Sequence, residues 1–386
     1  MSEFRTIREL CSVVVDCPHS TPKWTANGKI VIRNNNIKHG RIDFSSPSYT
    51  DDEHFAQRIK RAKPQPGDII ITREAPIGDV GMIPENTECC LGQRMVLLRA
   101  NQSVCDNFYL LYSLQSLYVQ HQISWSEGTG TTVSNLRIPH LEQIQIPYLP
   151  LEQQAKISSV LRALEEKIEN NRRLNDNLQQ QAAALFSSLY DRTNTEVRFT
   201  DLIQILGGGT PKTGENTYWN GNIAFFTPKD VGTPYTLITE KTITEEGLSH
   251  CNSRLYPVNT VFVTARGTVG KVGMSGVPMA MNQSCYALVG KETHQLLVYF
   301  YTLKAVDRLK HKASGAVFDA ITTRDFESEQ IMKLSDDDAK AFLCIAEPMF
   351  QKVLNNCIEN LRLSTLRDSL LPKLMSGEVD VSAVQL

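Results

Sequence analysis

The sequence has no uninterrupted apolar run close to the roughly 18–20 residues that a membrane-spanning helix requires. Its first ten residues include Arg5, Arg8 and Glu9, so they lack the apolar core of a secretion signal. We therefore expect a cytoplasmic protein that makes no contact with a membrane.

Cysteine occurs in no arrangement typical of a metal site or a disulfide framework. The nine cysteines are an odd number, and no two of them form a C-x-x-C pair. Cys89 and Cys90 are adjacent, a spacing that suits neither a zinc site nor an ordinary disulfide. The eight histidines are scattered, with no cysteine or carboxylate at ligand spacing. The sequence therefore predicts reduced thiols and no metal site.

An excess of charge of one sign is also missing. The 40 basic and 42 acidic residues leave a net charge of −2, so any surface for nucleic acid has to be assembled by folding. A composition of 41% hydrophobic and 21% charged residues excludes a mostly disordered chain. The length of 386 residues predicts two to four domains at about 100–200 residues each.

The sequence also lacks several common catalytic motifs. The glycine-rich segment at residues 207–216, GGGTPKTGEN, resembles a phosphate-binding loop, but Glu215 and Asn216 stand where that loop needs lysine and a hydroxyl residue. The N-P-P-Y signature of adenine and cytosine methyltransferases is absent, as are H-E-x-x-H and G-x-S-x-G. These absences predict a chain without a catalytic centre of its own.

The chain contains a diverged internal repeat. Residues 66–82 read PGDIIITREAPIGDVGM and residues 257–274 read PVNTVFVTARGTVGKVGM, and the two align with Gly78 on Gly270. Further along, residues 130–146 align with residues 315–331. Each member of the first pair predicts a strand, a glycine turn and a second strand, because glycine readily takes the positive φ that such turns need.

Between the repeats lies a long helical segment. Residues 151–190 contain no proline or glycine, and the spacing between seam positions alternates between four and three residues, which is typical of a coiled coil. The predicted seam consists of Ile157, Leu161, Leu164, Ile168, Asn171, Asn175, Leu178, Ala182, Leu185 and Leu189.

A second long helix is predicted at the end of the chain. It begins at Ser335 and the three aspartates that follow, and Gly377 is the expected stop. Pro348 predicts a kink or a fresh start inside it. Its seam residues are Leu343, Phe350, Leu354 and Leu361.

This organisation resembles the specificity subunit of type I restriction–modification enzymes over essentially the whole chain. The motifs that carry the resemblance are PYLPLEQQ at 147–154, YWNGNIAFFTPKDV at 218–231 and LLPKLMSGEV at 370–379, together with the paired glycine turns. The resemblance implies an α+β fold with two duplicated target recognition domains and two long helices that pack as an antiparallel coiled coil. The domains expected are 1–148 (first target recognition domain), 149–192 (central helix), 193–335 (second target recognition domain) and 336–386 (C-terminal helix).

The resemblance also implies function and partners. Each globular domain would read one half of a split site in double-stranded DNA, and the helices would set the distance between the halves. The chain would be non-catalytic and would dock two methyltransferase subunits and, with them, the restriction subunits of a bacterial or archaeal complex. S-adenosylmethionine, ATP and Mg²⁺ are expected on those partner subunits only, and no cofactor is expected on this chain.

Candidate DNA-binding residues were chosen by side-chain chemistry and by position near the predicted turns. Arginine and asparagine can read guanine and adenine by paired hydrogen bonds, and lysine suits phosphate. The candidates are Arg33, Asn34, Asn35, Asn36, Lys38 and Arg73 in the first domain, and Lys212, Tyr218, Trp219, Lys229, Arg266 and Lys271 in the second.

Less specific interpretations of the same residues stay open at this point. The asparagine run is also typical of a solvated turn, the aromatic pair of a cover over the core, and each arginine of a surface ion pair. The loop at Gly128–Thr132 is a further, weak phosphate candidate. The alternative function is a protein-interaction scaffold of two globules on a coiled coil that does not bind DNA.

Overall fold

The computed structural model describes residues 3–38, 40–125, 135–232, 234–312, 320–382 and 384, except for the side chain of residue 125. The loop at residues 128–132 lies outside this part of the chain. None of the helices in the described ranges combines the length and the apolar character that crossing a membrane would take.

The first half of the chain contains twelve strands and six helices within the described ranges. They are β1 (Glu3–Thr6), α1 (Ile7–Leu10), β2 (Cys11–Asp16), β3 (Trp24–Thr25), β4 (Lys29–Ile32), β5 (Ile37–Lys38), β6 (Arg41–Ile42), β7 (Ser48–Thr50), α2 (Asp52–Arg58), β8 (Ile69–Thr72), β9 (Val80–Met82), β10 (Cys89–Leu91), β11 (Met95–Ala100), α3 (Asn107–Gln115), α4 (Leu117–Trp125), α5 (Ile138–Gln143), β12 (Gln145–Tyr148) and α6 (Leu151–Tyr190).

The second half largely repeats this order. Its described elements are β13 (Glu196–Arg198), α7 (Phe199–Leu202), β14 (Ile203–Gly207), β15 (Trp219–Phe226), β16 (Tyr235–Thr236), β17 (Lys241–Ile243), α8 (Glu245–Ser249), β18 (Val261–Thr264), β19 (Val272–Ser275), β20 (Met279–Met281), β21 (Cys285–Gly290), α9 (Gln295–Lys312), α10 (Thr323–Ser328), β22 (Gln330–Met332) and α11 (Asp336–Ser376).

The first repeat, residues 3–148, is built on two small sheets. One has the order β2-β11-β8-β9 with antiparallel neighbours, and the other has the order β10-β4-β7-β3, in which β10 and β4 are parallel. Strand β8, which lies inside the first of these sheets, is fully buried, and this explains the continuous apolar sequence of Ile69–Ile71. β1 and β12 pair antiparallel and close the domain.

The second repeat, residues 196–332, has the same frame. Its sheets are β14-β21-β18-β19-β16 and β17-β15-β20, and β13 pairs with β22 as β1 pairs with β12. The parallel pair of β15 and β20 matches that of β4 and β10. The predicted duplication is therefore present in the strand order and not only in the sequence, and the predicted mixed α and β content is confirmed.

The chain divides into two compact units, and each takes part of both long helices. The first unit comprises residues 1–167 and 363–386, and the second comprises residues 168–362. Each unit therefore contains one repeat together with one end of α6 and one end of α11.

In the first unit the helix ends belong to the core of the repeat. Ile157 and Leu161 of α6 share one apolar cluster with Leu374 and Met375 of α11 and with the interior of the first repeat. Arg367 of α11 also lies 3.5 Å from the carboxylate of Glu165 on α6.

In the second unit an aromatic cluster joins the helices to the repeat. Phe186 of α6 is 1% exposed and stacks on Phe300, with ring centroids 5.0 Å apart. It also meets Tyr301 and Phe342 edge-on, at 5.4 Å each. Phe342 lies on α11 and Phe300 on α9, so one side chain connects three helices.

Between the apolar ends, the two helices meet through amides. Asn171 donates to Glu359 Oε2 (2.8 Å) and to Asn360 Oδ1 (2.9 Å), and Asn356 donates to Asn175 Oδ1 (2.7 Å). The partner numbers fall along α11 as they rise along α6, so the helices are antiparallel, as expected. A polar pair inside a helix seam selects one register at the expense of stability.

The predicted seam residues lie on the inner side of the helices. Buried are Ile157, Leu161, Ile168, Asn171, Asn175, Ala182, Leu189, Phe350 and Leu354, and partly buried are Leu164, Leu178, Leu185, Leu343 and Leu361.

The fresh start predicted at Pro348 is wrong, because α11 runs as one helix from Asp336 to Ser376. Pro348 and Cys344 are both exposed, so water can reach the carbonyl of Cys344, which loses its intrahelical donor. The predicted ends are confirmed: Ser335 Oγ accepts from the amide of Asp338 (3.1 Å), and Gly377 follows the helix with φ +74°.

All nine cysteines lie in the described part of the chain and have free thiols. Cys344 is exposed, whereas six others are buried. Burial raises the pKa of the Cys11 and Cys285 thiols to about 12, so these two remain protonated and unreactive near neutral pH.

Replacing Phe186 with alanine should lower the free energy of unfolding of the second unit by about 3–5 kcal/mol, because three helices lose a shared aromatic contact. Leu174→Ala on the same helix is the matched control, since Leu174 is 40% exposed, and should change stability by less than about 1 kcal/mol. The measurement is urea unfolding followed by Trp219 fluorescence in a background with Trp24→Phe and Trp125→Phe. Equal effects of the two substitutions would contradict this role of Phe186.

Candidate functional site

In each repeat, four loops that follow or join strands are linked to one another by backbone and side-chain hydrogen bonds. We call them loop edge 1, formed by residues 17–23, 33–36, 73–79 and 92–94, and loop edge 2, formed by residues 208–215, 227–230, 265–271 and 282–284. Nine of the twelve candidate DNA-binding residues lie on these loops, and Lys38, Tyr218 and Trp219 lie outside them.

The loops of each edge are joined by the same backbone bonds. In the first repeat the amide of Gly92 donates to the carbonyl of Ile32 (2.7 Å), and the amide of Arg73 donates to the carbonyl of Arg94 (2.8 Å). In the second repeat the equivalent bonds, from Asn282 to Phe226 and from residue 265 to residue 284, measure 3.0 and 2.8 Å. The two edges therefore share one backbone frame.

The predicted glycine turns are confirmed and are equivalent. The amide of Gly78 donates to the carbonyl of Thr72, and that of Gly270 to the carbonyl of Thr264, over 2.9 Å in both. The residue after each glycine donates its amide to the threonine Oγ1, over 3.0 and 2.9 Å. Both glycines have positive φ, +81° and +74°, which side chains with a Cβ rarely adopt.

A second turn is also built alike in both repeats. The amide of Arg33 donates to Asn36 Oδ1 (2.9 Å), and the amide of Thr227 donates to Asp230 Oδ2 (2.8 Å). Asn36 is 4% exposed and also donates to the carbonyl of Asp43 (3.0 Å). Its amide is thus used to hold the turn, as Asp230 holds the corresponding one.

The other residues of the asparagine run are more accessible. Arg33 is exposed, with its guanidinium 5.2 Å from the ring centre of Trp24, and Asn35 is exposed at the tip of the turn. Asn34 donates to the carbonyl of Glu74 (2.7 Å) and is partly buried. Loop edge 1 therefore presents Arg33 and Asn35 as side chains with free hydrogen-bonding capacity.

Lys38 is exposed and lies outside loop edge 1. Its ammonium is 2.8 Å from Asp43 Oδ2, and that hydrogen bond, together with the amide of Ser45, holds the pKa of the Asp43 carboxyl well below its usual range. The pair is at the surface, where such contacts contribute little to stability.

Arg73 is occupied inside the fold. Its guanidinium binds both oxygens of Asp16 (2.9 and 3.0 Å), the carbonyl of Leu136 (2.9 Å) and Asn135 Oδ1 (3.1 Å). Only 11% of its side chain is exposed. These contacts position neighbouring segments and leave little of the guanidinium for a ligand.

Arg266 has a different environment. It follows the equivalent of Arg73 by one position, is exposed, and makes no side-chain hydrogen bond or ion pair with the described residues. Lys271, which ends the same turn, is also exposed without such a partner in the described ranges. Arg266 and Lys271 therefore flank the Gly270 turn as two cations without a side-chain partner among the residues that the structure describes.

The remaining candidates of the second repeat divide into aromatic and basic groups. Tyr218 stacks on His250 at 4.9 Å, and Trp219 packs edge-on against Phe225 at 5.5 Å. Both are partly buried, so the structure uses them as cover over other side chains.

The two lysines near these aromatic residues are exposed. The carbonyl of Lys212 accepts from Trp219 Nε1 (3.1 Å), and its ammonium makes no hydrogen bond or ion pair with the described residues. Lys229, on the tip equivalent to Asn35, lies 3.4 Å from the exposed carboxylate of Glu240. Loop edge 2 thus presents Lys212, Lys229, Arg266 and Lys271.

Three edge residues had not been selected from the sequence: Lys23, Gln93 and Gln283. A signal for Lys23 was present, since the tripeptide Thr-Pro-Lys occurs at 21–23, separated by four residues from the end of β2, and at 210–212, separated by two residues from the end of β14. It occurs a third time at 227–229, on a different loop, which hides the correspondence from a simple search.

The two arginines near the glycine turns should respond differently to substitution. Arg73→Met should lower the free energy of unfolding of the first unit by about 2–3 kcal/mol, because Asp16 loses a charged partner in a partly buried position. Arg266→Met should change the stability of the second unit by no more than about 0.5 kcal/mol. Urea unfolding of both variants checks this, and a large loss from Arg266→Met would mean that its side chain has a structural partner.

Comparison with known proteins gives a consistent result. The chain is similar to the MjaIX specificity subunit of Methanocaldococcus jannaschii, a type I restriction enzyme subunit, with 23% identity over 342 residues that cover 82% of this chain and 78% of that protein. It is also similar to the HindI specificity subunit of Haemophilus influenzae, with 28% identity over 186 residues, 47% of this chain and 40% of that one.

The fold agrees with a solved structure as well. The S subunit of a type I restriction–modification system from M. genitalium superposes with a TM-score of 0.59 at 18% identity, covering 96% of this chain and 95% of that one. The model of the type I restriction modification DNA specificity domain matches twice, at residues 3–180 and 192–333. Because these matches span most of the sequence, the chain belongs to the family of type I restriction modification DNA specificity domains.

Proposed function

We propose that this chain is the specificity subunit of a type I restriction–modification complex and that each loop edge reads one half of a bipartite site in double-stranded DNA. One observation carries the assignment to these loops. The two edges have the same backbone frame but carry different exposed side chains. A common frame with variable side chains is what two readers of two different half-sites require.

The chemistry of the variable positions supports base reading. Asn35 on loop edge 1 corresponds to Lys229 on loop edge 2, because each lies between the two residues that close its turn. By alignment of the glycine turns, Glu74 and Asp79 correspond to Arg266 and Lys271. Arginine pairs with guanine and asparagine with adenine in the major groove, so exchanging such residues changes the preferred base.

The difference in charge between the two loop edges also supports the reading of two different half-sites. At those equivalent positions loop edge 1 carries two carboxylates, and Glu74 is bound by Arg94 (3.2 Å) and Asn135 (2.7 Å). Loop edge 2 carries only cations there. We therefore expect the two loop edges to make different proportions of base contacts and phosphate contacts with their half-sites.

We further propose that the chain is non-catalytic and acts through partners. Two methyltransferase subunits and the restriction subunits would bind S-adenosylmethionine, ATP and Mg²⁺, and this chain would position them on cytoplasmic DNA. The support is the family membership together with the sequence, which lacks an N-P-P-Y motif. A scaffold that does not contact DNA is not favoured, because the matching family is a DNA specificity domain.

The decisive experiment changes one edge only. Lys229→Asn and Arg266→Gln are introduced together, the complex with its methyltransferase subunits is produced, and methylated bases are mapped in the DNA. We expect one half-site to change or relax, because each lost base contact reduces discrimination by about 1–3 kcal/mol, while the other half-site stays the same. The chain without methyltransferase should give no methylation.

Arg198→Gln is the matched control, since Arg198 is exposed and lies at the opposite end of β14 from loop edge 2. An unchanged methylated sequence in the double variant would refute reading by this edge, and a change in both half-sites would refute independent reading. If methylation falls below detection, selection of bound duplexes from a pool randomised in both half-sites makes the same comparison.

The helices should determine the spacer between the half-sites. The test inserts four residues after Asn175 in α6 and four residues before Asn356 in α11. Because the helices are antiparallel, both insertions lie on the same side of the Asn175–Asn356 hydrogen bond, so this bond is kept while each helix gains about 6 Å of rise. We expect the same two half-sites with a non-specific spacer longer by about one or two base pairs, at roughly 3.4 Å per pair. Mapping of methylated bases measures the spacer, and altered half-sites with an unaltered spacer would show that the helices take part in reading.

A further inference from the structure

The two edges have one exposed basic position in common. Thr21, Pro22 and Lys23 follow β2, and Thr210, Pro211 and Lys212 follow β14. β2 pairs with β11 and β14 with β21, so the two tripeptides lie in the loops that leave equivalent strands, Thr21 after four intervening residues and Thr210 after two.

The same partner holds the threonine in both repeats. Gln93, in the turn before β11, donates from Nε2 to Thr21 Oγ1 (3.2 Å) and also contacts the carbonyl of His19. Gln283, in the turn before β21, accepts from the hydroxyl of Thr210 at Oε1. In each repeat, the middle residue of this turn is a glutamine. It thus links the tripeptide by a hydrogen bond to the turn that precedes β11 or β21.

The proline and the lysine of each tripeptide point to different surroundings. Pro22 and Pro211 are buried, whereas Lys23 and Lys212 are exposed. The Lys23 ammonium lies 3.6 Å from Asp51 in an exposed ion pair, which contributes little to stability. The ammonium of Lys212 makes no hydrogen bond or ion pair in the described ranges. Each loop is therefore fixed at its base and presents an ammonium at the edge.

Residues that are alike on both edges cannot account for a difference between two half-sites. What any two half-sites share is the sugar–phosphate backbone, and backbone contacts orient a protein without carrying sequence information. Lysine is a compact point charge that suits a phosphate oxygen. We propose that Lys23 and Lys212 form a matched phosphate clamp, in which each ammonium binds one backbone phosphate of its half-site and the glutamine–threonine pair positions it.

The proposal deepens the proposed function and rests on it for the identity of the ligand. The clamp contributes affinity that is independent of sequence and strongly dependent on salt, because each phosphate contact releases counterions from DNA. The neighbouring variable residues then contribute the discrimination. The third Thr-Pro-Lys, at 227–229, has no such counterpart, since residues 33–35 occupy its position in the first repeat.

The test uses the complex with its methyltransferase subunits and a double variant, Lys23→Met and Lys212→Met. Binding to a duplex that carries the methylated sequence, and to a scrambled duplex, is measured by fluorescence anisotropy over a series of salt concentrations. We expect weaker binding to both duplexes and a slope of log affinity against log salt that is less steep by about 1.8, or about 0.9 for each lost contact. The methylated sequence should not change.

Two controls separate charge from folding and position. Lys23→Arg with Lys212→Arg keeps the charges and should retain the salt slope. Arg8→Met with Arg198→Met removes two exposed cations at the opposite ends of β2 and β14 and should leave the slope unaltered. An unchanged slope in the Lys→Met variant, or a flattened slope in the Lys→Arg variant, overturns the clamp.

A changed methylated sequence would also overturn it, because the lysines would then read bases. Failure of the proposed function is a separate result: the unsubstituted complex would bind the two duplexes equally. The slope on either duplex would still report whether Lys23 and Lys212 contact phosphate.

Discussion

The rest of the structure depends on the burial of helix side chains inside each compact unit. Phe186 from α6 and Phe342 from α11 lie in the core of the second unit, and Ile157 and Met375 do the same in the first. These residues come from distant parts of the sequence, so neither repeat has a complete core without both helices. The helix ends are therefore parts of the domains and not a separate rod attached to them.

Between these apolar ends the helices are held by a polar layer. Asn171, Asn175 and Asn356 are nearly fully buried, and their amides bind across the helix pair. An all-leucine seam would be more stable, but it could slip by whole heptads, whereas the amides find partners in one register only. Selection of a single register would suit the proposed role of the helices in setting a distance along DNA.

The two loop edges separate the backbone frame from the side chains that it carries. Glycine turns at Gly78 and Gly270 and polar side chains at Asn36 and Asp230 hold the same backbone bonds in both repeats. Because these bonds are satisfied internally, the exposed side chains can vary without loss of the fold. A duplicated domain can in this way acquire two different specificities.

The sequence by itself determined the duplication, the two long helices and the strand–turn–strand units, because hydrophobic spacing and glycine turns are local signals. Local signals also placed the helix ends at Ser335 and Gly377. They predicted a kink or a fresh start at Pro348, and the helix makes no fresh start there because exposure lets it continue. Only the tertiary structure decided which polar residues are available to a ligand. Arg73 and Arg266 lie beside equivalent turns, yet Asp16 and Leu136, which are distant in sequence, bind Arg73, whereas Arg266 has no side-chain partner in the described part of the chain. The reason is that the role of a polar side chain depends on the partners that folding brings to it. Those partners can be distant in sequence, so the residues on either side of it do not reveal them.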